Sequence, residues 1–529
     1  MALWIRTLWL SLILGILLGC HPKESLSSFT YVNGPEPESL DPAIITGQSE
    51  MRLISALFEG LTARNAHGEV EPGMAESWVI SPDGKTIRFT LRAATWSNGN
   101  PVTAQDFVYS WERALNPLMA SKYAELLYPI ARAEDYNKGK VDDFNLVGVH
   151  ALDLQTLEVK LENPTPFFLD LCSMPTLYPV HFLSLKSEGR HWTKPGHLIS
   201  NGAYTLKDWR IDDRVVLQKN LKYWRVDQVK LNQITALTTS SATTAFNLFY
   251  SGKADLIMDK GLIPSLMIDH LRQKEYFHSN PFLGAYFYRF NVTKKPFNNA
   301  KVRKAFALAV DKKRVVEKIT RAGEPVANAL TPPGVRNYTP PTGLVENHAL
   351  AQKLLAEAGY PKGKGFPAVS ILYNSSELNQ QIAVEIQSMW SEVLGVHVTL
   401  QNQEWKVYLG SLDQLDFDIA RSSWVGDYND ANTFLDCFVT GRGNNRTGWS
   451  NAEYDRLMAQ SASESNSQKR SELMQSAERI LVEQELPIIP IHHYVGMALY
   501  HSDKLGGFES NVVDDHPLRE LYWKEQPKP

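Results

Sequence analysis

The sequence predicts an α/β fold. Three patterns carry that expectation: hairpin-like alternation in its first third, helices with recognisable caps, and helix–strand alternation after residue 347. In "SPDGKTIRFTLR" the residues Ile87, Phe89 and Leu91 alternate after an Asp83-Gly84 turn, as in a half-buried hairpin strand. "NPVTAQDFVYSWERAL" opens a helix in which Thr103 sits three residues before Asp106, a capping box with Asp in place of the usual Glu or Gln. "LDLQTLEVKLE" alternates again through Leu157, Val159 and Leu161. "LTPPGVRNYTPPTG", residues 330–343, reads as a rigid loop because proline fixes φ. In "NHALAQKLLAEAGYP" Leu350, Ala351, Leu354, Leu355 and Ala358 share a face, with Asn347 as cap, Gly359 as stop and Pro361 beyond. "QQIAVEIQSMWSEVLG" repeats the device with Ile382, Ile386, Met389, Trp390 and Val393, stopping at Gly395. The strands "VHVTL" and "FDIARSSW" follow. Helices between strands imply a largely parallel sheet, whose ligands gather beyond the strand C-termini.

The N-terminus "MALWIRTLWLSLILGILLGC" carries Arg6 and an apolar run from Leu8 to Leu18, too short for a membrane span. Its ending, Leu17-Leu18-Gly19-Cys20, resembles a bacterial lipobox. Residues 1–19 are therefore expected to be a lipoprotein signal peptide, with Cys20 lipidated and the protein anchored in the cell envelope. An ordinary signal peptide with an incidental cysteine is the alternative. The net charge of −4, with 43% hydrophobic and 21% charged residues, describes a globular protein without a basic stripe for nucleic acid. Cys172 and Cys437 are expected to be unpaired, buried thiols.

No Gly-x-Ser-x-Gly elbow, His-Glu-x-x-His helix or phosphate loop occurs, so enzyme chemistry is disfavoured and no cofactor or metal is expected. "DYNDAN" offers oxygen ligands but lacks the glycine and distal Glu of a calcium loop. His492 and His493 are adjacent in an alternating segment, so their rings point to opposite faces. The stretch that asks for a function is "ARSSWVGDYNDANTF", where Asp427 follows a strand end among aromatics. Asp427 is either an Asx-turn residue or a charge awaiting a counter-charge.

The segments "SLDPAIITGQSEMRLISALFEGL", "AESWVISPDGKTIRFTLRAATWSNGNPVTAQDFVYSWERALNP", "SNGAYTL", "LLAEAGYP", "NQEWKVYL" and "SSWVGDYNDANTF" together resemble the oligopeptide-binding proteins of bacterial peptide ABC transporters, from about Thr30 to beyond Tyr494. The resemblance implies a bilobed periplasmic-binding-protein-like fold (type II, cluster C) with an additional inserted domain. By that analogy 24–58, 183–284 and 495–529 form domain I, 59–182 the inserted domain II and 285–494 domain III. Asp427 matches the carboxylate that holds the ligand's α-ammonium. Ser423, Trp424 and Val425, and Gly47 with Gln48, match two edges that pair with the peptide main chain as added strands. Trp405, Trp424, Tyr123 and Tyr494 match pocket-lining aromatics, for which plain core packing is the alternative. Asn374 matches a polar pocket position, and Arg421 an arginine that takes the carboxylate of short peptides. The implied partners are an oligopeptide, the permease and ATPase subunits and, through the lipid, a membrane; the implied state is a monomer.

The sequence also departs from the resemblance. A second pocket arginine is Leu412 here, a histidine used with short peptides is Asn379, and a cysteine pair is replaced by Gly284 and Val425. A dedicated receptor for murein peptide, dipeptide or a metal chelate therefore stays open, as does an adhesin or sensor on the same fold.

Overall fold

The computed structural model describes residues 28–45, 47–442 and 444–525; the lipobox and Cys20 lie outside the described residues. Strand β1 (Ser28–Gly34) is followed by a short hairpin, β2 (Thr62–Arg64) and β3 (Val70–Pro72). Strands β4 (Ala75–Ile80), β5 (Thr86–Leu91), β6 (Val149–Ala151) and β7 (Thr156–Lys160) then form an antiparallel sheet in the order β4-β5-β7-β6. Asp83-Gly84 makes the β4–β5 turn, with Gly84 at φ +69°.

The remaining large strands are β8 (Tyr204–Arg210), β9 (Arg214–Lys219), β10 (Gln233–Thr238), β11 (Leu256–Ile257), β12 (Phe277–Phe290), β13 (Val369–Asn374), β14 (Val398–Gln403), β15 (Ile419–Val425) and β16 (Ile488–Tyr500). With β1 they build one ten-stranded sheet in the order β14-β13-β15-β12-β16-β11-β1-β10-β9-β8. The expectation of a largely parallel sheet needs correction. β13 runs parallel to β14 and β15, and β1 parallel to β10 and β11, but β12 is antiparallel to both β15 and β16. The reason is that β12 and β16 are long strands from opposite ends of the αβ region. They pair with each other and join the two parallel groups. Their ladder breaks register between Pro281 and Ala285.

The helices that position the site are α1 (Gln48–Leu57), α2 (Ala104–Leu115), α3 (His348–Glu357), α4 (Glu377–Leu394), α5 (Trp405–Asp413) and α6 (Ser467–Arg479). The Thr103–Asp106 capping box is present on α2. Asn347 caps α3, accepting from the Leu350 N–H at 3.0 Å. Gly395 ends α4 in the left-handed region at φ +69°, where a side chain would be strained. On α4 Ile382, Ile386, Met389 and Trp390 are buried against β13 and its neighbours, each contributing about 1.5–3 kcal/mol. On α3 only Ala351 and Leu355 are fully buried, whereas Leu350 turns outward. Cys172 and Cys437 are buried and unpaired, as expected.

Candidate functional site

Strand β15 carries the candidate site, and one of its edges is open. On one side it pairs with β12 along its whole length, from Ile419–Phe290 to Val425–Gly284. On the other, β13 pairs only with Ile419 and Ala420, then ends at Asn374 and gives way to α4. From Arg421 to Val425 that second edge faces no strand among the described residues. The Tyr408 hydroxyl donates to the Arg421 carbonyl at its start.

Just past the strand, each residue of "DYND" has a different task. Asp430 is buried and held bidentate by Arg470 of α6, at 2.7 and 2.9 Å. Asn429 accepts from the Arg336 N–H at 3.0 Å. Tyr428 stacks on Phe167 with centroids 4.0 Å apart and rings 6° from parallel. Arg336 also reaches the buried Asp170, with nitrogens 2.9 and 3.1 Å from its oxygens. These contacts tie the turn to the segment carrying Phe167 and Asp170.

Asp427 is different. Its N–H donates to Thr433 Oγ1 at 3.2 Å, but among the described residues no hydrogen bond or ion pair reaches its half-buried carboxylate. Burial, with a smaller contribution from Glu125, pushes that carboxyl up to about 6. Tyr123 is close enough that the Asp427 charge adds to burial in raising its phenol. Among the described residues the one charge that acts on Asp427 is thus that of an acid, Glu125, and no cation pairs with it. The Asx-turn role belongs to Asp430, whose carboxylate accepts from the Asn432 N–H at 2.9 Å.

At the other end of the open edge lies a second polar cluster. The Arg421 guanidinium donates to the Tyr494 hydroxyl at 3.0 Å and to Asn374 Oδ1 at 3.3 Å, and it lies over the Tyr286 ring, 4.7 Å from the centroid. Among the described residues its Nε has no hydrogen-bond partner, nor has Trp424 Nε1. Asn379 completes the network, donating to Asn374 Oδ1 at 3.0 Å and accepting from the Tyr286 hydroxyl at 3.3 Å. His492 stacks on Tyr286 behind this cluster, and burial pushes its imidazole down to about 3, so it is neutral. His493 is bonded to the Ala329 carbonyl from the other face of β16 and is neutral as well. Trp405 is exposed and stacks on Tyr408, with ring centroids 5.7 Å apart.

Gly47 and Gln48 do not form a strand edge. Gly47 is extended, at φ −89° and ψ 149°, but it caps α1, and Gln48 is already helical. The Glu50 carboxylate folds back into the space a Gly47 side chain would take. Among the described residues, no hydrogen bond links this pair to the Asp427 turn. Sequence reasoning missed Tyr286 and read His492 only as one of two strand histidines facing opposite ways. Both lie in long apolar strands, where no local pattern marks them out.

Residues 69–446 match the family model described as "Bacterial extracellular solute-binding proteins, family 5 Middle". The chain belongs to this family. Relatives include the periplasmic oligopeptide-binding protein OppA of Escherichia coli, 37% identical over 93% of this chain and 91% of that one. The periplasmic murein peptide-binding protein MppA of the same organism is 38% identical over 91% and 90%. The unliganded open form of MppA, a murein tripeptide binding protein, superposes with a TM-score of 0.83 at 36% identity, covering 94% of this chain and 97% of that one. Haemophilus influenzae OppA in complex with RPPGFSPFR gives a TM-score of 0.76 at 33% identity, over 94% and 99%.

Within this solute-binding protein the departures have physical consequences. Leu412 is buried in an apolar cluster with Leu372, Tyr408, Phe417 and Ala420, and adds no charge to the site. Gly284 and Val425 are direct cross-strand neighbours, so a cysteine pair at these positions would sit on adjacent strands. The space beside Gly284 is taken by the Tyr494 ring, only 2.8 Å from where a Cβ would lie. Tyr494 therefore occupies a place that a side chain at residue 284 would contest.

Proposed function

We propose that this solute-binding protein captures peptides by their N-terminal ammonium and main chain, delivers them to an ABC permease with its ATPase, and performs no chemistry on them. The observation that carries this reading is Asp427: a desolvated carboxylate without a cation, at the end of an unpaired strand edge. A free N-terminus is the one feature all unmodified peptides share. A carboxylate that binds it selects peptides without reading their sequence, and the charge-assisted hydrogen bond is strong in a partly dry site. The edge from Arg421 to Val425 offers main-chain pairing of the same sequence-blind kind. With the ammonium at Asp427 and the rest of the ligand directed towards Arg421, the peptide runs antiparallel to β15. Trp405, Trp424, Tyr123, Tyr494 and Asn374 then border its side chains.

In the same reading Cys20 carries the lipid that holds a monomeric receptor at the cell envelope. The lobes are 24–58 with 183–284 and 495–529, the inserted 59–182, and 285–494. They close by a hinge motion as binding proteins do. A second reading, a receptor dedicated to murein peptide, is favoured by the kinship with MppA. The test is a titration of matched free and N-acetylated peptides. Free peptides should bind at least about a hundredfold tighter, since an uncompensated buried charge costs about 3–5 kcal/mol. Equal affinity would sink the assignment.

A further inference from the structure

Lys260 lies in the turn after β11, outside every residue assigned above, and is half-buried. Nζ is 3.8 Å from the centroid of the Tyr494 ring and 5.4 Å from that of Phe282. The hydroxyl of the same Tyr494 accepts from Arg421. One tyrosine thus carries a lysine on its face and an arginine at its tip. Among the described residues, neither cation has a carboxylate within ion-pair distance.

The acids around Lys260 are committed elsewhere. Asp259 pairs with Arg52 at 3.3 Å and accepts from the Gly261 N–H. Glu324 accepts from Thr320 Oγ1 and the Ala322 N–H at 2.8 and 2.9 Å. Asp514 faces His516 at 3.1 Å. Burial lowers the Lys260 pKa, the Asp514, Asp259 and Glu324 charges oppose this, and Arg421 lowers it further. Three acids act on Lys260 from beyond pairing distance, so among the described residues direct ion-pair contact to both cations is left open to a carboxylate of a ligand.

We propose that Lys260, which shares Tyr494 with Arg421, adds a second anion subsite for the side chain of the peptide's last residue, so that the preferred ligand ends in an aspartate or glutamate with a free C-terminus. This rests on the peptide-receptor reading. The α-carboxylate and the side-chain carboxylate neutralise one cation each. Asp427 lies six residues beyond Arg421, so the span between them is at most about 20 Å of extended backbone. The arginine side chain shortens it, which suits ligands of about three to five residues.

The test is calorimetric titration of the full-length protein, stripped of ligand, with oligoalanines of three, four and five residues. Each is made with a free C-terminus, a C-terminal amide and a terminal glutamate. At the favoured length the glutamate peptide should bind tightest and the amide weakest, with about tenfold per charge. Lys260→Gln should erase the advantage of glutamate over alanine and leave the amide unchanged, while Lys260→Arg should keep the advantage. The proposal falls if glutamate brings no gain at any length, or if Lys260→Gln weakens all three ligands equally. If charge at the C-terminus is indifferent while N-acetylation still abolishes binding, only this inference fails. If no peptide binds, the receptor reading fails with it.

Discussion

Replacing Asp427 with asparagine keeps the shape of the side chain and removes its charge. In the empty protein that charge is a liability. Its folded-state carboxyl is pushed up to about 6 from the ordinary 3.8, with burial the main cause and Glu125 the second. A carboxyl raised in this way stabilises the fold fully below the unfolded value, and that contribution is lost as pH rises from about 4 through about 6. That rise corresponds to about 3 kcal/mol, and closer to about 2 kcal/mol once screening at a half-buried site is allowed for. Asp427→Asn should therefore make the ligand-free protein more stable at pH 7.5, by up to about 2 kcal/mol, and indistinguishable from wild type near pH 4. The same change should weaken peptide binding by about a hundredfold or more. Thermal denaturation at both pH values, paired with calorimetric titration, reads the two effects together. A variant that loses stability at pH 7.5 would mean that Asp427 holds the turn together. One that binds normally would mean that it does not hold the ligand.

Peptide affinity should peak near pH 7 and fall on either side, below by protonation of Asp427 at about 6 and above by loss of the peptide ammonium near about 8; titrations across pH 5–9 that show no fall below 6 would remove Asp427 from the site. Asp430→Asn should act oppositely to Asp427→Asn, lowering the thermal midpoint, because it leaves the buried Arg470 guanidinium unpaired at a cost of about 3–5 kcal/mol. Gly284→Ala should cost about 1–3 kcal/mol by driving a Cβ against the Tyr494 ring, measured as a lowered denaturation midpoint. An unchanged midpoint would show that the ring moves freely and that its hold on Arg421 is weak.

Local signals in the sequence translated well because they are short-range. Thr103 with Asp106, Asn347, Gly84 and Gly395 act on backbone within a few residues, and the structure uses each as the pattern suggests. The position of Asp427 past a strand end was legible for the same reason. The pairing of β12 with β16 was not. It joins segments about 200 residues apart, and an apolar run such as "GAYFYRF" does not encode its neighbour or its direction. The division of labour inside "DYND" was also hidden, since only the distant Arg470, Arg336 and Phe167 reveal which members are already engaged. Gly47 and Gln48 illustrate the converse. A motif matched in order reports where a segment lies in the chain, while its strand or helix state depends on residues such as Glu50 that fold back upon it.

The open edge of β15 has a cost apart from recognition. Unpaired strand backbone accepts any extended chain, including that of another molecule of the same protein, and native proteins blunt such edges by keeping them short and charged. Here the unpaired stretch spans Arg421 to Val425, with a guanidinium at one end and the Asp427 carboxylate just beyond the other. A ligand lying along it would cap the edge as well as occupy the site, and mass action would favour the capped form. Self-association should then be greatest in protein emptied of ligand and held near pH 5, where protonation strips the carboxylate of its repelling charge.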